Sequence, residues 1–202
     1  MGTRTWPLAL LLAASTAAWA QAPVDLDALA RQVAYEHPEI PSAALRKAFA
    51  FLKDHYVQNA KYVAIVDFNQ PSTKRRLSII RLADGRVEKF LVAHGEGSGD
   101  LYATDFSDEH RSHQSALGVY LTDDEYEGKH GRSLKLRGME GSNNESESRA
   151  IVLHGADYVS DEYIQERGML GRSWGCPAVD YGDRDHIIGE LRGGAILLLY
   201  HS

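Results

Sequence analysis

The chain of 202 residues has one cysteine, six prolines, no internal repeat, no low-complexity tract and no excess of basic residues. Each scarcity excludes something. One cysteine rules out an internal disulfide, so any stable fold must rest on its apolar core, and 44% hydrophobic residues suffice for that. The net charge of −6 argues against nucleic acid or anionic lipid as a partner, because both reward a basic surface. The longest early apolar stretch, around Leu8 to Leu12, is too short and too interrupted by Ser and Thr to span a bilayer.

That stretch has another reading. "MGTRTWPLALLLAASTAAWA" carries a positive charge at Arg4, an apolar centre and small residues before Ala18-Trp19-Ala20. It is expected to be a secretory signal peptide over residues 1–20, cut after Ala20, leaving no membrane anchor. The segment holds one of the 22 Lys+Arg residues and none of the 28 Asp+Glu, so the net charge falls from −6 to −7 without it. Exported proteins meet oxidising surroundings, where cysteines usually pair. A lone Cys176 is therefore an inert buried thiol, an intermolecular link or a reactive nucleophile.

Residues 21–59 read as a helical segment. One helix is expected near Leu26 to Tyr35, ending before the prolines of "HPEIP". A second has Ser42 as N-cap and Leu45, Ala48, Phe49, Leu52 and Tyr56 on one face. Residues 60–202 form the second unit. "KYVAIVDF", "RRLSIIRL" and "VEKFLVAHG" are strand-like, with "ADGR" as the turn of a hairpin. Further strands are expected at 117–122, 134–138, 150–156 and 194–200, and a short helix from Asp183 to Arg192. "EGSNNESESR" (140–149) reads as a surface loop and "GEGSG" as a flexible loop at a cleft edge. The fold class is mainly β, a β-sandwich or curled mixed sheet with N-terminal helices and one short C-terminal helix.

Two segments carry chemistry. "IVLHGA" ends a strand with His154 and Gly155, and 18 residues separate His154 from Ser173 of "SWGCPAV". A histidine at a strand exit can serve as base, and a glycine-preceded cysteine can sit on a turn with outward N–H groups. The base matters because a free thiol, with a pKa of about 8.5, is mostly protonated at neutral pH. In order, His154-Gly155, the spacer and Ser173-Trp174-Gly175-Cys176 resemble the signature of the L,D-transpeptidase catalytic domain family, often called YkuD-like. "HGEGSG" (94–99), "SALGVYLT" (115–122), "YEGKHGRSLKLRGMEG" (126–141) and "RAIVLHGADYVS" (149–160) are similar to its murein L,D-transpeptidase branch.

The resemblance implies Cys176 as nucleophile, His154 as general base and the carbonyl of Gly155 as the group orienting the imidazole. It implies an oxyanion hole from the N–H groups of Trp174, Gly175 and Cys176, with Ser173 steadying the turn or the substrate carbonyl. The implied reaction is acyl transfer on peptidoglycan stem peptides. A thioester forms at the third stem residue with loss of D-alanine, and an amine resolves it; the alternatives are water as acceptor, or a non-catalytic wall-binding module. A papain-like order is excluded, since there the cysteine precedes the histidine. Trp174 stands where the family often has histidine, and Ala178 where arginine or asparagine is common. Arg172, Lys129, His130 and Arg132 are candidates for binding stem carboxylates, the last three within a basic stretch that also holds Lys135 and Arg137. His110 and His113 in "HRSH" lack the further ligands of a metal motif, so no metal and no other cofactor is expected. The expected setting is the periplasm, as a monomer.

Overall fold

The structure, a computed structural model, describes residues 24–202. The expected signal peptide and its cleavage point lie outside the described residues. Helix α1 (Leu26–Glu36) starts at Asp25, whose carboxylate accepts the N–H groups of Asp27 and Ala28, both at 3.0 Å. Helix α2 spans Ser42–Asp54. Its N-cap is Pro41 rather than Ser42, because Ser42 already has helical backbone and caps nothing. Tyr56 lies beyond the helix and is exposed, so the apolar face closes with Ala44, Leu45, Ala48 and Phe49.

Strands β1 (Tyr62–Asp67), β2 (Leu77–Arg81) and β3 (Val87–Phe90) form an antiparallel meander. Then come β4 (Gly118–Gly128), β5 (Gly131–Gly138), β6 (Val152–Ala156), helix α3 (Asp161–Arg167), β7 (Ala178–Asp180), helix α4 (Tyr181–Leu191) and β8 (Ile196–Tyr200). All eight strands join one mixed sheet in the order β3-β2-β1-β8-β4-β5-β6-β7. Only β1·β8 and β6·β7 are parallel. The architecture is thus the mixed-sheet form of the expected mainly-β fold, with N-terminal helices as expected.

Central strands are covered on both faces, which is why β1 and β8 read as unbroken apolar runs. Val63, Ile65, Ile196 and Leu198 face Leu45, Phe49 and Val33 of the two N-terminal helices. Ala64, Val66, Leu197 and Leu199 face the other side, with Ile187, Ile188 and Leu191 of α4. Each such leucine or phenylalanine contributes about 1.5–3 kcal/mol by leaving water. The N-terminal helices therefore share a core with the sheet.

"GEGSG" is not a flexible loop. Glu96–Ser98 is a 3-10 turn, and buried Ser98 accepts the N–H of Ser115 at 2.9 Å. The 140–149 segment is irregular as expected, yet Asn143 and Ser146 are buried. Asn143 donates to the Val119 carbonyl at 2.9 Å and Ser146 Oγ accepts the Gly138 N–H at 2.7 Å. Both anchor the loop on the sheet.

Candidate active site

His154 and Cys176 come together through the last strand pair. Strands β6 and β7 run parallel, with His154 opposite Ala178 and Gly155 opposite Val179. The His154 N–H donates to the carbonyl of Pro177, the neighbour of Cys176, at 3.4 Å. Parallel strands need a long crossover, and the segment between them carries α3. The spacer between the two motifs is that crossover.

The His154 imidazole is buried, with 2% exposure. Its Nδ1–H donates to the Gly155 carbonyl at 2.9 Å, which leaves Nε2 as the basic nitrogen. Burial lowers the pKa of His154; the Gly155 carbonyl partly restores it, and the His130 and Lys129 charges lower it further. The group is neutral at neutral pH. Gly155 admits no side chain, since a Cβ there would lie 2.5 Å from the Tyr181 ring.

The Cys176 turn is held from inside. Ser173 Oγ accepts the Gly175 N–H at 3.1 Å and donates to the Cys176 carbonyl at 2.6 Å. Ser173 N–H donates to the His94 carbonyl at 2.9 Å, and the Ser173 carbonyl accepts the Glu96 N–H at 2.7 Å. Gly175 has φ +114°, and a Cβ there would meet the Gln114 carbonyl at 2.7 Å. One expected oxyanion donor is thereby spent: the Gly175 N–H belongs to Ser173. The N–H groups of Trp174 and Cys176 meet no acceptor among the described residues.

The thiol itself is half-buried and donates to the Ala150 carbonyl at 3.9 Å. It has no hydrogen bond to the His154 imidazole in this conformation. Burial raises the pKa of Cys176, while the Val152 N–H and the charges of Arg149 and Lys129 pull it down. At rest the pair is thiol and neutral imidazole. Ala150 has φ +53°, uncommon for a residue with a side chain and a sign of local strain beside the thiol.

The family model described as "L,D-transpeptidase catalytic domain" (YkuD_2) matches residues 36–200. This chain belongs to that family. No curated protein matches it. Among solved structures it is similar to an L,D-transpeptidase from Mycobacterium smegmatis, at 9% identity over 70% of this chain and 59% of that one, TM-score 0.42. An L,D-transpeptidase from Mycobacterium tuberculosis H37Rv matches at 11% identity over 70% and 58%, TM-score 0.46. One from Enterococcus faecium matches at 11% over 69% and 50%, TM-score 0.41. The chain spans about half to three fifths of these proteins.

Of the candidate binding residues of this family member, two lie against His154 and Trp174 and two are held in ion pairs. Lys129 and His130 form the turn between β4 and β5, which folds over the centre. His130 stacks on His154 and Lys129 lies 5.6 Å from the Trp174 ring. Trp174 is 66% exposed and stacks on His113 at 4.8 Å. Arg132 instead binds Glu125 at 2.5 Å and Asp185 at 3.5 Å. Arg172 pairs with Asp100 and lines a 300 Å³ cavity with Glu96, Tyr163 and Arg167. A larger cleft, about 470 Å³, lies along Tyr126, Lys135, Arg137 and Glu147 and ends at Ala150–Val152, the stretch that touches the thiol.

Sequence reasoning assigned no role to Arg149. Its guanidinium is almost fully buried, bound to Asp108 at 3.1 Å and to the Ser107 and Gln114 carbonyls at 2.9 and 2.7 Å. It ties the 107–114 loop behind the cysteine turn. Its only sequence signal is an arginine five residues before His154, which says nothing of the distant loop that closes on it.

Proposed function

We propose that this protein is a cysteine acyltransferase of the periplasm that acts on peptidoglycan stem peptides. His154 Nε2 takes the proton of the Cys176 thiol, and the sulfur attacks the carbonyl carbon of the third stem residue. The negative charge that develops on the carbonyl oxygen is met by the Trp174 and Cys176 N–H groups. Collapse breaks the bond to D-alanine, whose amine leaves with the proton from His154, and a thioester remains on Cys176. An amine of a second stem then attacks the thioester, His154 accepts its proton, and sulfur leaves as the thiol. A new amide results, which is a cross-link. The enzyme acts as a monomer after removal of its signal peptide, and no metal or cofactor takes part.

The observation that carries this reading is the β6–β7 register, which seats the cysteine turn beside a buried histidine whose Nδ1 is tied to the Gly155 carbonyl. That bond does for the imidazole what a carboxylate does in other triads. Resting thiol and neutral imidazole suit a base that works on substrate arrival.

The test is intact-mass and product analysis of the mature protein with disaccharide-tetrapeptide, beside Cys176→Ala. Loss of D-alanine with dimer formation, absent in the variant, is the expected result. Tripeptide alone identifies water as acceptor. Absence of both turnover and a covalent adduct would overturn the proposal.

A further inference from the structure

We infer that Ser115 is a positioning residue of the oxyanion site, setting the direction of the Cys176 N–H through the carbonyl of Gly175. The inference rests on the acyl-transfer reading above. Ser115 is fully buried, and each of its polar groups is engaged. Its N–H donates to Ser98 Oγ at 2.9 Å, its Oγ accepts the Gly95 N–H at 3.0 Å, and its hydroxyl donates to the Gly175 carbonyl at 3.1 Å.

The last bond has a consequence across the peptide plane. A trans peptide carries its C=O and N–H on opposite sides. Holding the Gly175 carbonyl against Ser115 turns the Cys176 N–H the other way, and that N–H has no acceptor among the described residues. Ser173 cannot do this task. It holds the Gly175 N–H and the Cys176 carbonyl, which belong to the peptides before and after. Among the described residues Ser115 is the only hydrogen-bond donor to the Gly175 carbonyl. Gly175 has the backbone freedom to let that plane rotate once released. The 3-10 turn at Glu96–Ser98 places Ser115 through Ser98 and Gly95, so "HGEGSG" and "SALGVYLT" act together under the cysteine.

The experiment compares wild type with Ser115→Ala in three readouts. With tetrapeptide substrate, kcat is expected to fall about 100-fold with KM changed less than about twofold, the pattern of a lost transition-state donor. With a substrate whose scissile C=O is replaced by C=S, the wild-type preference for oxygen should shrink at least about tenfold in the variant, since that preference reports oxyanion bonding. Alkylation of Cys176 by iodoacetamide should keep its rate, because it builds no oxyanion. The chain has one cysteine, so selective 15N-cysteine labelling gives a single amide cross-peak, which should move in Ser115→Ala.

Wild-type kcat and an unmoved cross-peak in the variant would overturn the inference. So would alkylation falling in step with kcat, which would place Ser115 behind the thiol instead of the oxyanion. If wild type itself releases no D-alanine, the acyl-transfer reading fails, and the cross-peak alone still decides whether Ser115 orients the amide. Should Ser115→Ala not fold, Ser115→Cys keeps the size with a weak donor. It should show the same kcat loss and compressed oxygen preference, and wild-type values would sink the idea.

Discussion

The imidazole of His130 lies stacked on that of His154, ring centroids 4.4 Å apart and planes within 24°. The turn that carries His130 covers the buried His154 ring and sets a second titratable ring against it. Both effects keep His154 neutral, burial first and the His130 charge after it.

His130→Ala should therefore raise the pKa of His154 toward its ordinary value. The acid limb of kcat/KM against pH, which reports the free enzyme's base, should move to higher pH in the variant. An unmoved limb would mean that the stack does not govern the base.

Replacing Cys176 by Ala should abolish turnover while leaving the melting temperature within a few degrees, since only a half-buried sulfur is lost. His154→Ala should also abolish turnover and slow iodoacetamide alkylation near neutral pH. Equal alkylation in wild type and His154→Ala would mean that His154 does not activate the Cys176 thiol.

A buried pair behind the site sets an acid limit on stability. Arg76 Nη2 donates to His94 Nδ1 at 2.7 Å, so His94 is neutral and its Nε2–H donates to the Gly99 carbonyl at 3.1 Å. Burial first, then the Arg76 charge, pushes His94 down to about 4. Unfolded, the same imidazole titrates at about 6.5. Between those values the unfolded chain binds the extra proton, so stability present above pH 6.5 is lost as pH falls toward 4, at up to about 1.4 kcal/mol per pH unit. Urea midpoints across that window check this, and His94→Gln should flatten the slope.

The shared core makes a further claim. Leu45 is buried against the sheet, and Leu45→Ala should cost about 2–5 kcal/mol. Unfolding should stay a single transition by tryptophan fluorescence and far-UV circular dichroism. A separate early loss of helix signal would show that α2 is a detachable appendage.

The apolar runs made most strands readable, because β1 and β8 are covered on both faces and tolerate only apolar side chains. Strand β7 was not readable: three residues carry no period, and it is defined by its pairing with β6 and a bridge from Ala178 to Ala93. Helix α3 was missed for the opposite reason. It buries no residue, so it has no apolar stripe, although Ser160 as N-cap and Gly168 at φ +78° were signals in the chain.

By itself the sequence determined which groups could react: one thiol, a histidine closing a strand and glycines where no Cβ fits. Chemistry is local to a side chain, so it can be read in one dimension. Only tertiary structure decided which of the basic residues lie against His154 and Trp174. Lys129 and His130 were placed against Trp174 and His154 by a hairpin turn, while Arg132 and Arg172 were paired with Glu125 and Asp100. It also bound the Gly175 N–H to Ser173 and brought Ser115 and Arg149 behind the turn. Those outcomes depend on residues far apart in the chain meeting in space, and nothing in their spacing announces it.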